Sequence, residues 1–359
     1  MARAAVIVAV LPEYRANFVA ELRSRFTSDI DTLILAAGDT HLDSTVRTGS
    51  NIPGIIPLKN VAVLGRRFLW QRGAQRIAKG ADVLVADLNP RSVTAWVLLI
   101  SRKLTQRRTL LWGHVHPRAG ADAPTSRLRK FMRSLADGII SYTWSDADVV
   151  RRERPGRPVW VAANGLVPAA TMGWSAGTTR NRFVYVGRLE PAKKPRLAVE
   201  AFASALPRLP ENTRLTFVGS GSELAAMQRL AHDLGVESVI DFLGHIGDYE
   251  RLREIYSQAL ASVSPGYVGL SLTQSLGFGV PMIVADKEPH APEVELLTDT
   301  TGLWFEADSV SSLADRFVEV ATGLRKWDHS GIVATVSNRY SSTAMAAGFE
   351  AALRGRREG

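Results

Sequence analysis

A glycine and an arginine, followed five residues later by a lysine, form the part of this sequence best suited to chemistry: Gly187, Arg188 and Lys193 in VGRLEPAKKPRLAVEAF, residues 186–202. A β-branched run ends at Gly187, and a helical pattern opens just past Lys193. The two cations therefore stand at the carboxyl end of a strand, beside the partial positive charge of a helix N-terminus. That combination suits a diphosphate. Taken alone, the pair also fits a solvated turn with surface cations.

The segments that follow shift the balance toward a phosphate site. LTFVGSG (Leu215 to Gly221) and IDFLGHI (Ile240 to Ile246) are each a strand emptying into a glycine turn, at Gly219 and Gly221 in one and Gly244 in the other. Glycine, lacking Cβ, lets backbone approach a flat or phosphorylated ligand closely, although any one of these turns is also an ordinary strand-to-helix turn. SPGYVGLSLTQSLGFGVP (residues 264–281) then places a glycine-rich loop at a helix start, and MIVADKEPHAPEVELL (residues 282–297) follows it.

Elements that could hold such turns are present throughout. Short β-branched runs alternate with helical patterns of about 10 to 15 residues, which predicts parallel α/β units. Six strands are expected in the first half, at Ala5–Val10, Thr32–Ala36, Val83–Ala86, Thr109–Trp112, Gly138–Ser141 and Val159–Ala162. Six more are expected at Phe183–Val186, Leu215–Val218, Val239–Phe242, Ala261–Ser264, Met282–Val284 and Leu303–Phe305. At 359 residues the chain has room for two domains. They are expected at 1–166 and 180–339, joined by LVPAATMGWSAGTTRN (residues 166–181), which is small, polar and without period.

Composition narrows the partners. With no cysteine there is no thiolate metal site, catalytic thiol or disulfide, and a reducing compartment is the default. The opening apolar run, Ala4 to Leu11, reads as a first strand, and Ala95 to Ile100 is far short of the roughly 18 residues needed to cross a bilayer. Lysine and arginine outnumber acids by 25 to 13 in residues 1–175, against 19 to 22 in residues 176–359. Only the first half is basic, which points to an anionic partner there: a membrane surface, a phosphorylated acceptor or nucleic acid. Nucleic acid is disfavoured because no recognised binding module accompanies the charge. Cation and aromatic clusters at Ser126–Leu135 (SRLRKFMRSL) and at Arg66, Arg67, Phe68, Trp70 and Arg72 have the mixed character of interfacial segments, or of solvated surface.

In order and spacing, the motifs of Phe183 to about Phe305 resemble the family 4 retaining glycosyltransferases, of GT-B fold with two facing Rossmann-like domains. The resemblance assigns Gly187, Arg188 and Lys193 to the G-R-L-x-x-x-K donor diphosphate clamp. It assigns Gly244, His245 and Ile246 to the loop that contacts the base, and Glu293 to the family's acidic turn. The form S-P-G-x-V-G-L followed by H-x-P-E resembles a polysaccharide-type subgroup, which adds Gly269, Leu270, Ser271 and His290 to the expected donor contacts. One departure stands out: the paired glutamates of the E-x7-E motif are replaced by Gly266 and Gln274. Gln274 retains the capacity to bond a ribose hydroxyl, whereas Gly266 cannot replace a carboxylate. In the first half the resemblance places His114, of LWGHVH, facing the reacting sugar, and Arg15 on the acceptor side. It makes Asn164 and Gly165 hinge residues and returns a helix at about 340–355 to the first domain. His114 and His116 could also form a metal pair, but no third ligand lies nearby in sequence.

The resemblance thus implies a metal-independent retaining transferase without cofactor. It would move a sugar from a nucleoside diphosphate sugar to a saccharide or glycolipid hydroxyl, in the cytoplasm or peripherally at the inner face of a membrane. A noncatalytic nucleotide-sugar-binding protein and a nucleotide-sugar epimerase are the alternatives.

Overall fold

The computed structural model describes residues 2–26, 31–42, 47–116, 123, 125–176 and 179–356. The chain divides into two compact units, residues 1–169 with 339–359, and residues 170–338.

The first unit is built on one eight-stranded sheet: β1 (Ala2–Val8), β2 (Asp31–Gly38), β3 (Ile56–Val63), β4 (Phe68–Arg72), β5 (Val83–Asp87), β6 (Arg108–Gly113), β7 (Gly138–Ser141) and β8 (Val159–Val161), in the order β4-β3-β2-β1-β5-β6-β7-β8. All neighbours are parallel except β3 and β4. Its helices are α1 (Ala16–Ser24), α2 (Ala74–Lys79), α3 (Val93–Leu104), α4 (Thr125–Leu135) and α5 (Trp144–Glu153). Side-chain oxygens start two of them where the sequence provides them: Ser92 accepts from the Ala95 N–H at 3.1 Å and Thr143 from the Asp146 N–H at 3.0 Å.

The second unit holds a six-stranded, all-parallel sheet of β9 (Arg182–Val186), β10 (Arg214–Val218), β11 (Ile240–Phe242), β12 (Ala259–Ser264), β13 (Met282–Ala285) and β14 (Gly302–Phe305), ordered β11-β10-β9-β12-β13-β14. Its helices are α6 (Pro195–Ala205), α7 (Leu224–Asp233), α8 (Tyr249–Ser257), α9 (Leu270–Gly277), α10 (Val310–Ala321) and α11 (His329–Tyr340), around a core that includes Phe183, Phe202, Phe217 and Phe317. Chain continuity then carries α12 (Ser342–Arg354) onto the first unit, where Phe349 packs 5.0 Å from Phe18 and 4.7 Å from Trp112, ring centre to ring centre.

Every expected strand is present, and two unexpected ones join them. The segment read from sequence as an interfacial cluster, Arg66 to Arg72, is the turn and second strand of the β3–β4 hairpin, paired from Lys59↔Arg72 to Val63↔Phe68. It escaped notice because β3 lies near the sheet edge with only Leu58 buried, so it lacks a period-two apolar pattern. Its turn also hides its character: Leu64 and Arg66 take positive φ (50° and 64°), where Asn or Gly would have signalled a hairpin. The segment expected as a linker is partly packed. Trp174 stacks on His329 with centroids 3.6 Å apart, and the Arg180 guanidinium lies 3.4 Å from the Trp174 ring centre. Residues 177 and 178 lie outside the described set.

Candidate functional site

In a doubly wound sheet, ligands sit beyond the carboxyl ends of the two strands where the order reverses. In the second unit those strands are β9 and β12. Gly187, Arg188 and Lys193 follow β9, and the loop Pro265–Gly269 with the start of α9 follows β12. The structure therefore brings these two sequence-predicted groups together.

The glycine turns lock into one layer. Gly187 N–H donates to the Val218 carbonyl at 3.0 Å, Leu189 N–H to that of Ser220 at 2.9 Å and Gly219 N–H to that of Gly244 at 2.8 Å. Gly219, at φ +151°, passes so near that a Cβ there would stand 1.8 Å from the Gly187 carbonyl oxygen, and one on Gly221 would be 2.2 Å from that of Leu189. No side chain fits at either position, which explains the glycines that look ordinary one at a time. Gly244 thus joins the row through Gly219, with His245 exposed beyond it and Ile246 packed among the apolar residues near α8.

Two adjacent lysines have different tasks. Lys194, at φ +48° just before Pro195, donates to Glu288 at 2.5 Å and Asp308 at 2.6 Å, and these carboxylates hold its ammonium above its ordinary pKa. Lys193 instead donates to the Tyr267 carbonyl at 2.7 Å, with its ammonium 4.3 Å from the Tyr267 ring centre. It is thereby held against the glycine-rich loop while Arg188 is exposed.

At Gly266, where the resemblance expects a glutamate, the backbone leaves no space for one. A Cβ there would lie 2.7 Å from the Ala192 carbonyl oxygen and 2.8 Å from the Lys193 carbonyl carbon. The loop leans on the Pro191–Lys193 turn with no room for a side chain. From the other side it is clasped by residues after β13: Val268 N–H donates to His290 Nδ1 at 3.1 Å, and Ala291 N–H to the Val268 carbonyl at 2.8 Å. His290 Nε2 lies 2.8 Å from the Ala285 carbonyl, so the ring is the Nε2–H tautomer, and burial holds its pKa below the ordinary value. With both nitrogens engaged, His290 positions the loop. Glu293 is buried in the turn Pro292–Leu296 against α9, whereas Gly269 precedes α9 and Leu270, Ser271 and Gln274 lie partly exposed on its first turns.

The first unit carries a second site at its own reversal, between β1 and β5. A cavity of about 490 Å³ there is lined by Arg15, Asp87, Asn89, Arg91, His114, Arg129, Tyr142 and Asn164 among others. Arg15, 7% exposed, donates to Tyr142 Oη at 2.9 Å and Asn164 Oδ1 at 3.1 Å, and its guanidinium stacks 4.4 Å from the Trp112 ring centre. His114 stands 4.5 Å from the Tyr142 ring, and Arg129 braces its carbonyl at 2.8 Å. Asp87, Tyr142 and Arg129 were not singled out from sequence, and Asn164 was read as a hinge residue. An acid ending an apolar strand, VLVADLNP, was the available signal for Asp87. Among the described residues no three of His, Asp and Glu converge as metal ligands.

Two groups in this cavity titrate in opposite senses. Burial pushes Asp87 up to about 6, against the Ala9 N–H that its Oδ2 accepts at 2.5 Å and against Arg15. Burial, then Arg129 and Arg15, push His114 down to about 4. A raised carboxyl contributes stability at low pH that is lost as pH rises through its folded value, whereas a depressed imidazole contributes stability at high pH that is lost as pH falls toward its folded value. In the same window, about pH 4 to 6.5, the two oppose. Asp87→Asn is expected to gain stability relative to wild type as pH rises from 4 to 6. Urea unfolding at pH 4, 5, 6 and 7 measures this, and a flat difference would remove the assignment.

Residues 174–323 match the family described as "Glycosyl transferases group 1". The fold is that of the GT-B glycosyltransferases, two Rossmann-like α/β units on parallel sheets. Among solved structures, Anabaena HepE in complex with UDP superposes with TM-score 0.68 at 15% identity, covering 99% of this chain and 100% of that one. The lipopolysaccharide outer core galactosyltransferase WaaB also gives 0.68, at 13% identity and 99% coverage of both chains. The "D-inositol 3-phosphate glycosyltransferase" of Acidothermus cellulolyticus is 31% identical over 176 residues, 42% of this chain and 39% of that protein. The "GDP-mannose-dependent alpha-(1-6)-phosphatidylinositol monomannoside mannosyltransferase" of Mycobacterium tuberculosis is 26% identical over 294 residues, 74% of this chain and 71% of that relative. The match to the first of these relatives thus spans about two fifths of its length. The group 1 match takes in the clamp, the glycine row and the loop after β12, all in the second unit.

Proposed function

We propose that this protein is a retaining, metal-independent glycosyltransferase that moves a hexosyl group from a nucleoside diphosphate sugar to a hydroxyl of a saccharide or glycolipid. The observation that carries the reading is the placement of Arg188 and Lys193 after β9 at the β9/β12 reversal, with Lys193 bonded to the glycine-rich loop that follows β12. In transfer, the bond from the anomeric carbon to the diphosphate oxygen breaks and one to the acceptor oxygen forms on the same face. The acceptor proton passes to the departing phosphate oxygen. Arg188 and Lys193 stabilise the negative charge that grows on that leaving group, and no enzymic nucleophile is required.

The first unit supplies the acceptor side in this reading. Its cavity offers three guanidinium groups, Arg15, Arg91 and Arg129, against the single carboxylate of Asp87, which suits an acceptor bearing a phosphate. The names of both curated relatives describe phosphorylated acceptors, and this agrees with the charge. His114, neutral above about pH 5, would offer the reacting sugar a polar contact without a competing cation.

The test is a panel of UDP, GDP and dTDP sugars with EDTA present, scored by calorimetry and by donor consumption with and without a phosphorylated saccharide acceptor. Donor binding with transfer is the expected result. Binding without turnover under every acceptor would favour a noncatalytic nucleotide-sugar-binding protein, and absence of binding would end the reading.

A further inference from the structure

Most large apolar side chains left in solvent among the described residues belong to the first unit, and five of them sit on two helices that touch: Val97, Ile100 and Leu104 on α3, Leu128 and Phe131 on α4. The i, i+3, i+7 spacing makes one row along α3, roughly 10 Å long at about 1.5 Å per residue. Trp96 stacks on Phe131 with centroids 6.0 Å apart and joins that row to α4. Leu104 is 81% exposed and Phe131 57%.

The charge carried by the two helices is of one sign. Neither helix contains an acid, and together they carry Arg102, Lys103, Arg127, Arg129, Lys130 and Arg133. Some of these cations are internal: Arg102 and Arg133 are buried, and Arg129 bonds the carbonyls of Leu88 and His114. Arg127 is exposed, and Lys103 and Lys130 remain 54% and 60% exposed while reaching Asp137 and Glu153. A contiguous apolar ridge rimmed by cations and free of its own acids complements an anionic lipid surface, where apolar groups enter the headgroup boundary and cations meet the headgroups. No described helix is long and apolar enough to cross a bilayer, so contact here is peripheral.

We propose that the outer faces of α3 and α4 dock the first unit on an anionic membrane, with Ile100, Leu104 and Phe131 seated at the interface and Lys103, Arg127 and Lys130 facing anionic headgroups. The inference depends on the transferase reading only for what docking achieves, which is delivery of a lipid-borne acceptor to the first unit.

Sedimentation of the full chain with vesicles of phosphatidylcholine alone, and with about one-third phosphatidylglycerol, at about 0.05 and about 0.5 M salt, tests the surface directly. Binding is expected on the anionic vesicles at low salt and release at high salt. Ile100→Ser/Leu104→Ser/Phe131→Ser is expected to weaken it on the order of tenfold or more, since each replaced side chain loses its apolar burial at the interface. Leu324→Ser, at an exposed leucine of the second unit, is the matched control and should bind as wild type. If the triple variant melts early by circular dichroism, Arg127→Glu alone carries the test and should also weaken binding.

Wild type that ignores both vesicles, or ridge variants that bind like wild type, would overturn the proposal. So would a wild-type dimer, seen by sedimentation velocity, that the triple variant converts to monomer, because the ridge would then be covered by a second copy. Nucleotide titrations on the same preparations keep the two readings apart. Nucleotide binding without vesicle binding sinks only the surface, and the converse sinks only the donor assignment.

Discussion

Lys193→Ala is expected to slow transfer on the order of a hundredfold to a thousandfold, the range for removing one preorganised group from a developing anion. Affinity for the nucleoside diphosphate should fall by about 1.5 to 3 kcal/mol, the worth of one charge-assisted contact. The ammonium donates to the Tyr267 carbonyl at the β9/β12 reversal, where in the proposed reaction charge accumulates on the leaving group. Arg188→Ala should behave alike. Lys194→Ala is the internal comparison: its ammonium is spent on Glu288 and Asp308, so its loss should lower the melting temperature and leave donor affinity intact. Calorimetric titration of all three, with melting curves, separates the roles. Unaltered donor affinity and turnover in Lys193→Ala would remove the clamp assignment.

Why two adjacent lysines take different partners shows where the sequence stops informing. The strands of the parallel sheets were legible because strands buried on both faces are near-continuous runs of apolar and β-branched residues, as in the centres of RFVYV and RLTFV. The order Gly187-Arg188-Lys193 was legible because it follows such a strand. The partner of each lysine was not, since Glu288 and Asp308 lie 94 and 114 residues from Lys194 and meet it only after the loops beyond β13 and β14 fold back. His290 likewise reads as a ligand contact in sequence, and only the fold shows both ring nitrogens engaged by Val268 and Ala285. The cavity of the first unit was half-visible: His114 and Arg15 come from segments read as strand ends, whereas Asp87, Tyr142 and Asn164 converge with them from three other segments. The basic excess was real as arithmetic but mixed in origin, because Arg15, Arg102 and Arg133 are buried.

Placing at position 266 the glutamate that the resemblance expects there should harm this protein. Gly266→Glu brings a Cβ to within 3 Å of the backbone at Ala192 and Lys193, neither of which is the far end of a flexible side chain. The loop must then lift from the Pro191–Lys193 turn, and it is already clasped at Val268 by His290 and Ala291. Overpacking of this kind costs about 1 to 3 kcal/mol of stability. The displaced Tyr267 carbonyl would also release Lys193, so nucleoside diphosphate affinity should fall at least about tenfold, which is some 1.4 kcal/mol. Gln274→Glu, where the resemblance expects the second glutamate, meets no such obstacle: the residue is partly exposed on α9, so the fold should tolerate it and donor binding should persist. Melting curves and nucleotide titration of the two single variants make the comparison. A Gly266→Glu protein of wild-type stability that binds donor more tightly would mean the loop opens readily enough to admit a carboxylate, and the steric account of its absence would fail.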